Sequence, residues 1–318
     1  MQKKIRILVV QIGKYGDMIL TTPLFKELKR IFPDSELSVL ASSRNSDISK
    51  NLSFVDFTYE YRKKIVSTIK LIFTLRRKAF DYWIDTKDEY SSTSKILERL
   101  CKPKTSLGFN IKEKVFDVNL QNFVIGEHRI DINLSPINYL SESNQYKRIL
   151  PHIDIPLSDS ENISDKLDKI GGKYILFNLS AGINNRDLAI EKWIELVDDI
   201  DTDKNILITG IEKDYDNINT ILKSAERKNI YFVKTKNIFE LAEVIKRADL
   251  LVTPDTAAVH LASCFDTPIV CFFNSVKWNQ KKFAPLSTKK RIVVSEDENS
   301  FDSISSAELL NAVKELLL

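Results

Sequence analysis

The stretch Leu250-Leu251-Val252-Thr253-Pro254-Asp255-Thr256-Ala257-Ala258-Val259-His260 runs an apolar strand into a proline, a carboxylate, a hydroxyl and two small residues. A strand that breaks at Pro254, with Asp255 or Thr256 capping the helix after it, presents unpaired backbone N–H groups to an anion, and Ala257 and Ala258 let a ligand approach the backbone. Thr256 and His260 stand four apart and share one helical face. They read either as ligand contacts or as the N-cap and a satisfied histidine of a core helix. A second loop, Ser180 to Arg186, precedes Lys192 and Trp193. A lysine there can neutralise a diphosphate as a point charge, while the Ser180 hydroxyl adds a hydrogen bond; the alternative is an exposed lysine. Glu212, just past a strand end at Gly210, could accept from a ribose diol or be a solvated carboxylate. Near the N-terminus the loop Gly13-Lys14-Tyr15-Gly16-Asp17 follows an apolar run. A carboxylate at that point can take a proton from an attacking hydroxyl, or can cap a helical turn.

Other chemistries lack their residues. Gly13-x-x-Gly16 is not the dinucleotide fingerprint, and the chain carries no P-loop lysine motif, no HExxH and no GxSxG. Asp201-Thr202-Asp203 matches a D-x-D metal pattern, but it precedes a strand and reads as a polar turn at the wrong end of a sheet.

These residues need a scaffold that brings strand ends and helix starts together. Ile5 to Val10, apolar but for Arg6, is a run suited to a strand buried on both faces, and Thr22-Pro23 gives the N-cap and first position of a helix with Leu24, Phe25, Leu28 and Ile31 at helical spacing. Glu36 to Leu40 is a second strand, which makes a βαβ unit. The second half alternates more plainly, with strands at Tyr174–Leu179, Ile206–Thr209, Ile230–Val233, Leu250–Thr253 and Pro268–Phe273 separated by helices. The expectation is α/β: two Rossmann-like doubly wound domains, residues 1–158 and 159–318, with the linker near Pro156 to Ser160 and a last helix, Ser305 to Leu318, that could cap either domain.

The chain's 318 residues allow about two domains at roughly 100 to 200 residues each. Its 47 basic against 44 acidic residues leave a formal charge of +3, too balanced for bulk nucleic-acid binding. Cys101, Cys264 and Cys271 form no CxxC pair and no disulfide framework, so a cytoplasmic setting is expected. The N-terminal apolar run stops at Gln11, short of a signal-peptide core, and Asp255, His260 and Asp266 interrupt the most apolar window.

Three stretches together resemble glycosyltransferase family 9, the ADP-heptose:lipopolysaccharide heptosyltransferases. Ile7 to Val10 with Gly16-Asp17 to Pro23 is similar to the family's opening strand and G-D-x-x-x-x-x-P motif. Asn178 to Gly182, Asn185-Arg186 and Glu191-Lys192-Trp193 resemble its central loop and K-x-W element. Asp249 to Ala262 with Thr267-Pro268 resembles its D-[ST]-x-x-x-H signature. The resemblance implies a GT-B fold with the two domains facing a central cleft, and an inverting, metal-independent transfer of a sugar, heptose foremost, from an ADP-linked nucleotide-sugar donor to a lipopolysaccharide core acceptor, with no cofactor. It casts Asp17 as catalytic base, Gly13, Lys14 and Gly16 as the loop on the acceptor side, and Ser180, Lys192, Glu212, Asp255, Thr256, Ala257 and His260 as donor contacts.

The segment also departs from the family. Ala257 and Ala258 stand where many members carry glycine, and Asn274-Ser275 replaces the usual Gly-Pro. A hexosyl- or N-acetylglucosaminyltransferase on another glycan or protein, a GT-B sugar-nucleotide epimerase and a binding module without turnover are the alternatives. Arg62 to Lys78 is basic, with Ile65, Ile69, Ile72 and Leu75 on one helical side, and reads either as an ordinary packed helix or as a peripheral contact with anionic membrane at the inner leaflet.

Overall fold

The computed structural model describes residues 4–141, 149–181 and 187–317; Gly182, Asn185 and Arg186, part of the expected donor-side loop, lie outside the described residues. The chain divides into two compact units, Met1–Asp154 and Ile155–Leu318.

The first unit runs β1 (Arg6–Gln11), α1 (Tyr15–Ile19), α2 (Thr22–Ile31), β2 (Glu36–Ser42), α3 (Ser46–Asn51), β3 (Phe57–Tyr61), α4 (Ile65–Lys78), β4 (Tyr82–Asp85), α5 (Ser92–Cys101), β5 (Thr105–Gly108), β6 (Val118–Asn119), α6 (Arg129–Asn133) and α7 (Ser135–Leu140). The second runs α8 (Leu157–Ile170), β7 (Tyr174–Asn178), α9 (Ile190–Asp199), β8 (Asn205–Thr209), α10 (Tyr215–Ser224), β9 (Ile230–Phe232), α11 (Ile238–Arg247), β10 (Leu250–Pro254), α12 (Ala257–Phe265), β11 (Ile269–Phe273), α13 (Lys277–Phe283), β12 (Lys290–Val294) and α14 (Ser306–Leu317).

Each unit holds one six-stranded sheet, in the orders β3-β2-β1-β4-β5-β6 and β12-β11-β10-β7-β8-β9. All the pairings are parallel. Counted within each unit, both are the doubly wound order 3-2-1-4-5-6, which reverses direction between its first and fourth strands. Those reversal points lie between β1 and β4 and between β7 and β10. The central strands are buried nearly end to end, as apolar runs covered on both faces must be.

The second core packs Phe177 and Trp193 against Phe272, which meets Phe301 edge-on with ring centroids 4.9 Å apart. Leu309 and Val313 of α14 belong to this core, so the last helix packs on the second unit. In the first unit, Trp83, Leu8 and Val10 of the sheet meet Leu71 and Leu75 of α4 and Leu97 and Cys101 of α5.

Three expectations shift. The boundary falls between Asp154 and Ile155, because the expected linker, Pro156 to Ser160, is the N-cap and first turn of α8; a proline with no N–H to satisfy begins that helix without loss. Thr21, not Thr22, is the N-cap of α2. The core-facing residues of α4 are Leu71 and Leu75, leaving Ile65 and Ile69 of the expected side in solvent. Among the described residues no helix is long and apolar enough to cross a membrane.

Deleting a ring separates the two kinds of apolar residue. Phe272→Ala should cost about 3–5 kcal/mol in chemical denaturation, and Phe73→Ala, on the outer face of α4, no more than about 0.5 kcal/mol. Comparable losses at the two positions would contradict this assignment of buried and exposed faces.

Candidate functional site

In the second unit the strand-order reversal is closed by a side-chain bond. Asn178, the last residue of β7, donates from Nδ2 to Thr253 Oγ1 of β10 at 2.9 Å. Thr253 Oγ1 lies 3.5 Å from Thr256 Oγ1, and Thr256 accepts from the Ala258 N–H at 3.3 Å, the capping role expected of it. Ala257 then opens α12, whose N-terminus carries partial positive charge. Asp255 accepts at Oδ2 from Asn279 Nδ2 of α13 at 2.7 Å, and its own N–H donates to Phe272 O at 3.0 Å. Asn279 thus fixes the signature carboxylate. Its neighbours in the chain, Trp278 and Gln280, carry no pattern that marks it as a partner of Asp255. His260 is buried in α12 with its ring against Phe283, 6.1 Å between centroids.

Ser180 makes its hydrogen bonds within the protein. Its hydroxyl donates to Asp214 Oδ2 at 2.6 Å and accepts from the Ile211 N–H at 2.8 Å, so it ties the loop after β7 to the loop after β8. Asp214, buried, also accepts from the Ile211 N–H at 3.0 Å. Glu212 sits exposed on the short 3-10 turn between Ile211 and Asp214. Lys192, in the first turn of α9, donates from Nζ to the Asp302 carbonyl at 2.6 Å. Asn178, Thr253 and Thr256 are therefore held as one group with Asp255 next to Thr256 in the chain, Ser180 joins it through the Asn178 loop, and among the described residues no side-chain hydrogen bond links Lys192 or Glu212 to it.

The first unit repeats the device. Gln11, the last residue of β1, donates from Nε2 to Thr86 Oγ1 at 2.9 Å and to Thr21 Oγ1 at 2.8 Å. Thr21 in turn donates to the Asp17 carbonyl at 2.7 Å. Asp17 stands in α1 and accepts at Oδ2 from the Lys14 N–H at 2.9 Å, closing the helix start as a capping carboxylate; among the described residues no hydrogen bond reaches its Oδ1. The capping and the chemical readings of Asp17 are thus compatible, one oxygen for each. A Cβ at Gly13 would lie 2.6 Å from Asp17 Oδ2 and 2.9 Å from Gln11 Oε1, so the carboxylate packs over a position where only glycine fits. Ser42 Oγ and Asn45 Nδ2 hold the Gly13 and Lys14 carbonyls from the end of β2. Gly16 lies inside α1, where its carbonyl accepts from the Leu20 N–H at 2.9 Å.

A pocket opens one strand away, lined by Asp85, Lys87, Tyr90, Ser94 and Phe116. Asp85 accepts from the Lys87 N–H at 2.9 Å, and burial raises its carboxyl above the ordinary 3.8, opposed by Ser94, by that N–H and by the charges of Lys87 and Arg129. Arg129, itself buried, pairs with Asp88 and donates to Thr86 O at 2.7 Å. Arg129 and Asp88 lie in a stretch after Ile84 whose apolar residues follow no regular period, so no local pattern singles them out. Among the described residues no group of three or more His, Cys, Asp or Glu side chains could hold a metal ion.

Comparison with known proteins follows this geometry. The family model "Glycosyltransferase family 9 (heptosyltransferase)" matches residues 68–311. A curated relative, lipopolysaccharide heptosyltransferase 3 of Escherichia coli, is 23% identical over 279 residues, covering 82% of this chain and 81% of that protein. Among solved structures, a glycosyl transferase family 9 protein from Veillonella parvula superposes with a TM-score of 0.86 at 17% identity, covering 100% of this chain and 98% of that one. An E. coli heptosyltransferase solved with ADP gives 0.78 at 13% identity, covering 98% and 100%. The fold is accordingly GT-B, built from two Rossmann-like units.

Asp85 makes stability depend on pH. Because its folded pKa is raised above 3.8, the folded chain keeps a proton that the unfolded chain has released, and stability falls as pH rises from the ordinary carboxylate range through the raised value. Asp85→Asn, which keeps an acceptor for the Lys87 N–H, should gain stability relative to wild type as pH rises from 4 toward 7 in urea titrations. A difference independent of pH would contradict the burial account.

Proposed function

Because the chain belongs to glycosyltransferase family 9, we propose that it transfers heptose from an ADP-linked donor to a lipopolysaccharide core acceptor, inverting the anomeric centre without a metal. The relative named for lipopolysaccharide heptosyl transfer and the ADP-bound neighbour support the donor and acceptor classes. The observation that carries the chemistry is Asp17: a half-buried carboxylate in α1, the turn that follows β1, oriented through one oxygen by the Lys14 N–H, with the other oxygen outside that bond.

In this reading Asp17 accepts the proton of an acceptor sugar hydroxyl as its oxygen bonds to the anomeric carbon. The bond from that carbon to the diphosphate oxygen breaks on the opposite face, and the nucleoside diphosphate leaves with the electron pair. The N-terminus of α12, capped by Thr256, and the ammonium of Lys192 stabilise the developing negative charge. For Lys192 this requires release from the Asp302 carbonyl, a neutral acceptor that a diphosphate outcompetes. Asp255, held by Asn279, and the backbone at Ala257 form the donor floor, His260 backs it from the core side, and Glu212 reaches the ribose from the solvent-exposed turn. Ser180 acts by holding the β7 and β8 loops in register rather than by touching phosphate.

The test is release of ADP from ADP-heptose with and without a truncated lipopolysaccharide acceptor, with chelator present throughout. Acceptor-dependent release is expected. Asp17→Asn should lower turnover by about a hundredfold or more while the dissociation constant for ADP stays unchanged. Wild-type turnover in that variant would refute the base, and interconversion of the donor without acceptor would mark an epimerase instead.

A further inference from the structure

Helix α4 has two apolar faces. Leu71 and Leu75 point into the first unit's core, and Ile65, Val66, Ile69 and Phe73 point away from it, exposed to 82%, 66%, 49% and 65%. Ile65, Ile69 and Phe73 follow one another at four-residue spacing and so form one stripe. Ile69 stands roughly 200° round the helix from Leu71, at about 100° per residue. The neighbouring helix α5 packs beside α4 on the same side of the sheet and adds Ile96 and Leu100, also exposed, beyond its buried Leu97 and Cys101. Water-exposed apolar stripes of this extent on a folded unit mark an interaction surface.

Along α4 and the turn before it the charges are all of one sign, the nearest carboxylates being Glu60, Glu36 and Glu98 on neighbouring elements. From Arg62 to Lys78 the chain carries Arg62, Lys63, Lys64, Lys70, Arg76, Arg77 and Lys78 and no acidic residue. Two of these are occupied: Arg62 pairs with Glu60 at 2.8 Å, and Lys78 pairs with Glu36 at 3.3 Å while lying over the Phe57 ring. Lys63, Lys64, Lys70, Arg76 and Arg77 are exposed and form no ion pair among the described residues. Lys70, Arg76 and Arg77 fall on the same outward half of the helix as Ile69 and Phe73.

The geometry points to an anionic lipid surface as the occupant of this face. Aliphatic and aromatic side chains in the middle with lysine and arginine around them match the interface of a bilayer, where the apolar stripe enters the acyl boundary and the cations meet the headgroup phosphates. A second copy of this chain is disfavoured, since a two-fold interface would set the same cations against each other. A nucleic acid offers nothing for the central stripe to enter. Because α4 follows β3, its first turn lies at the carboxyl end of the sheet, the end that carries the Gly13–Asp17 loop. Docking by this face therefore brings the proposed base toward the membrane, a consequence that rests on the transferase reading, whereas the docking itself does not.

The experiment is co-sedimentation of the full chain with vesicles of phosphatidylcholine alone and with one-third phosphatidylglycerol. Wild type should bind the anionic vesicles and not the neutral ones, and added salt should weaken the binding. Ile69→Ser with Phe73→Ser, and separately Lys70→Glu with Arg77→Glu, should each lower binding by about tenfold or more. Both pairs should leave circular dichroism and transfer to a short lipid-free acceptor unchanged. Undiminished binding in either variant, or equal binding to neutral and anionic vesicles, overturns the proposal. So does a lipid-independent dimer that the Ile69→Ser, Phe73→Ser pair dissociates. Failure of transfer with every acceptor would strike the transferase reading alone.

Discussion

In each unit the last residue of the first strand is a carboxamide that donates across the strand-order reversal to a threonine. Gln11 reaches Thr86 and Asn178 reaches Thr253, both at 2.9 Å. The registers make the two positions equivalent, one step beyond the Val10–Asp85 pair in one sheet and the Phe177–Val252 pair in the other. The constraint has a topological origin. Where the strand order reverses, the crossover helices leave toward opposite faces, and the carboxyl ends of two adjacent strands stay uncovered, with backbone groups that need partners. A buried amide with two donors and an acceptor closes that gap and at the same time holds whatever loop follows it.

The loops then diverge from a common base. In the first unit the Gln11 amide passes through Thr21 to the Asp17 carbonyl, and Gly13 leaves room for the carboxylate above it. In the second unit the corresponding amide joins Thr253, and through it the cap of α12, while its loop is braced by Ser180 and Asp214. One arrangement orients a carboxylate; the other leaves a helix N-terminus open above small residues. The proposed division of labour, proton acceptance on one unit and anion binding on the other, grows from this single difference between two copies of one device.

Much of this was legible from residue order. Continuous apolar runs at Ile7–Val10, Tyr174–Leu179 and Leu250–Thr253 located the central strands, because a strand covered on both faces has no polar alternation to hide it. Asp255 and Thr256 were visible because they follow such a run at once, and Asp17 because it closes the short glycine-bearing loop after one. What stayed hidden depended on distant pairing. Asn279 matters through a bond to Asp255 twenty-four residues away, and Asp214 through bonds to Ser180 and Ile211. No local pattern encodes either. The α4 stripe failed for a different reason: with apolar residues on both sides of the helix, periodicity alone could not choose between Leu71–Leu75 and Ile65–Ile69 as the inward pair. The linker was misplaced because a proline-led polar stretch reads equally as a loop and as the first turn of a helix.

The most direct measurement of the central claim is hydrogen–deuterium exchange of the whole chain with and without saturating ADP. The account predicts slowed exchange in peptides covering Asn178–Ala181, Gly210–Asp214 and Thr253–His260, with the Gln11–Thr21 peptide unchanged. Protection at Gln11–Thr21 with none at Thr253–His260 would place the nucleotide on the wrong unit and contradict it.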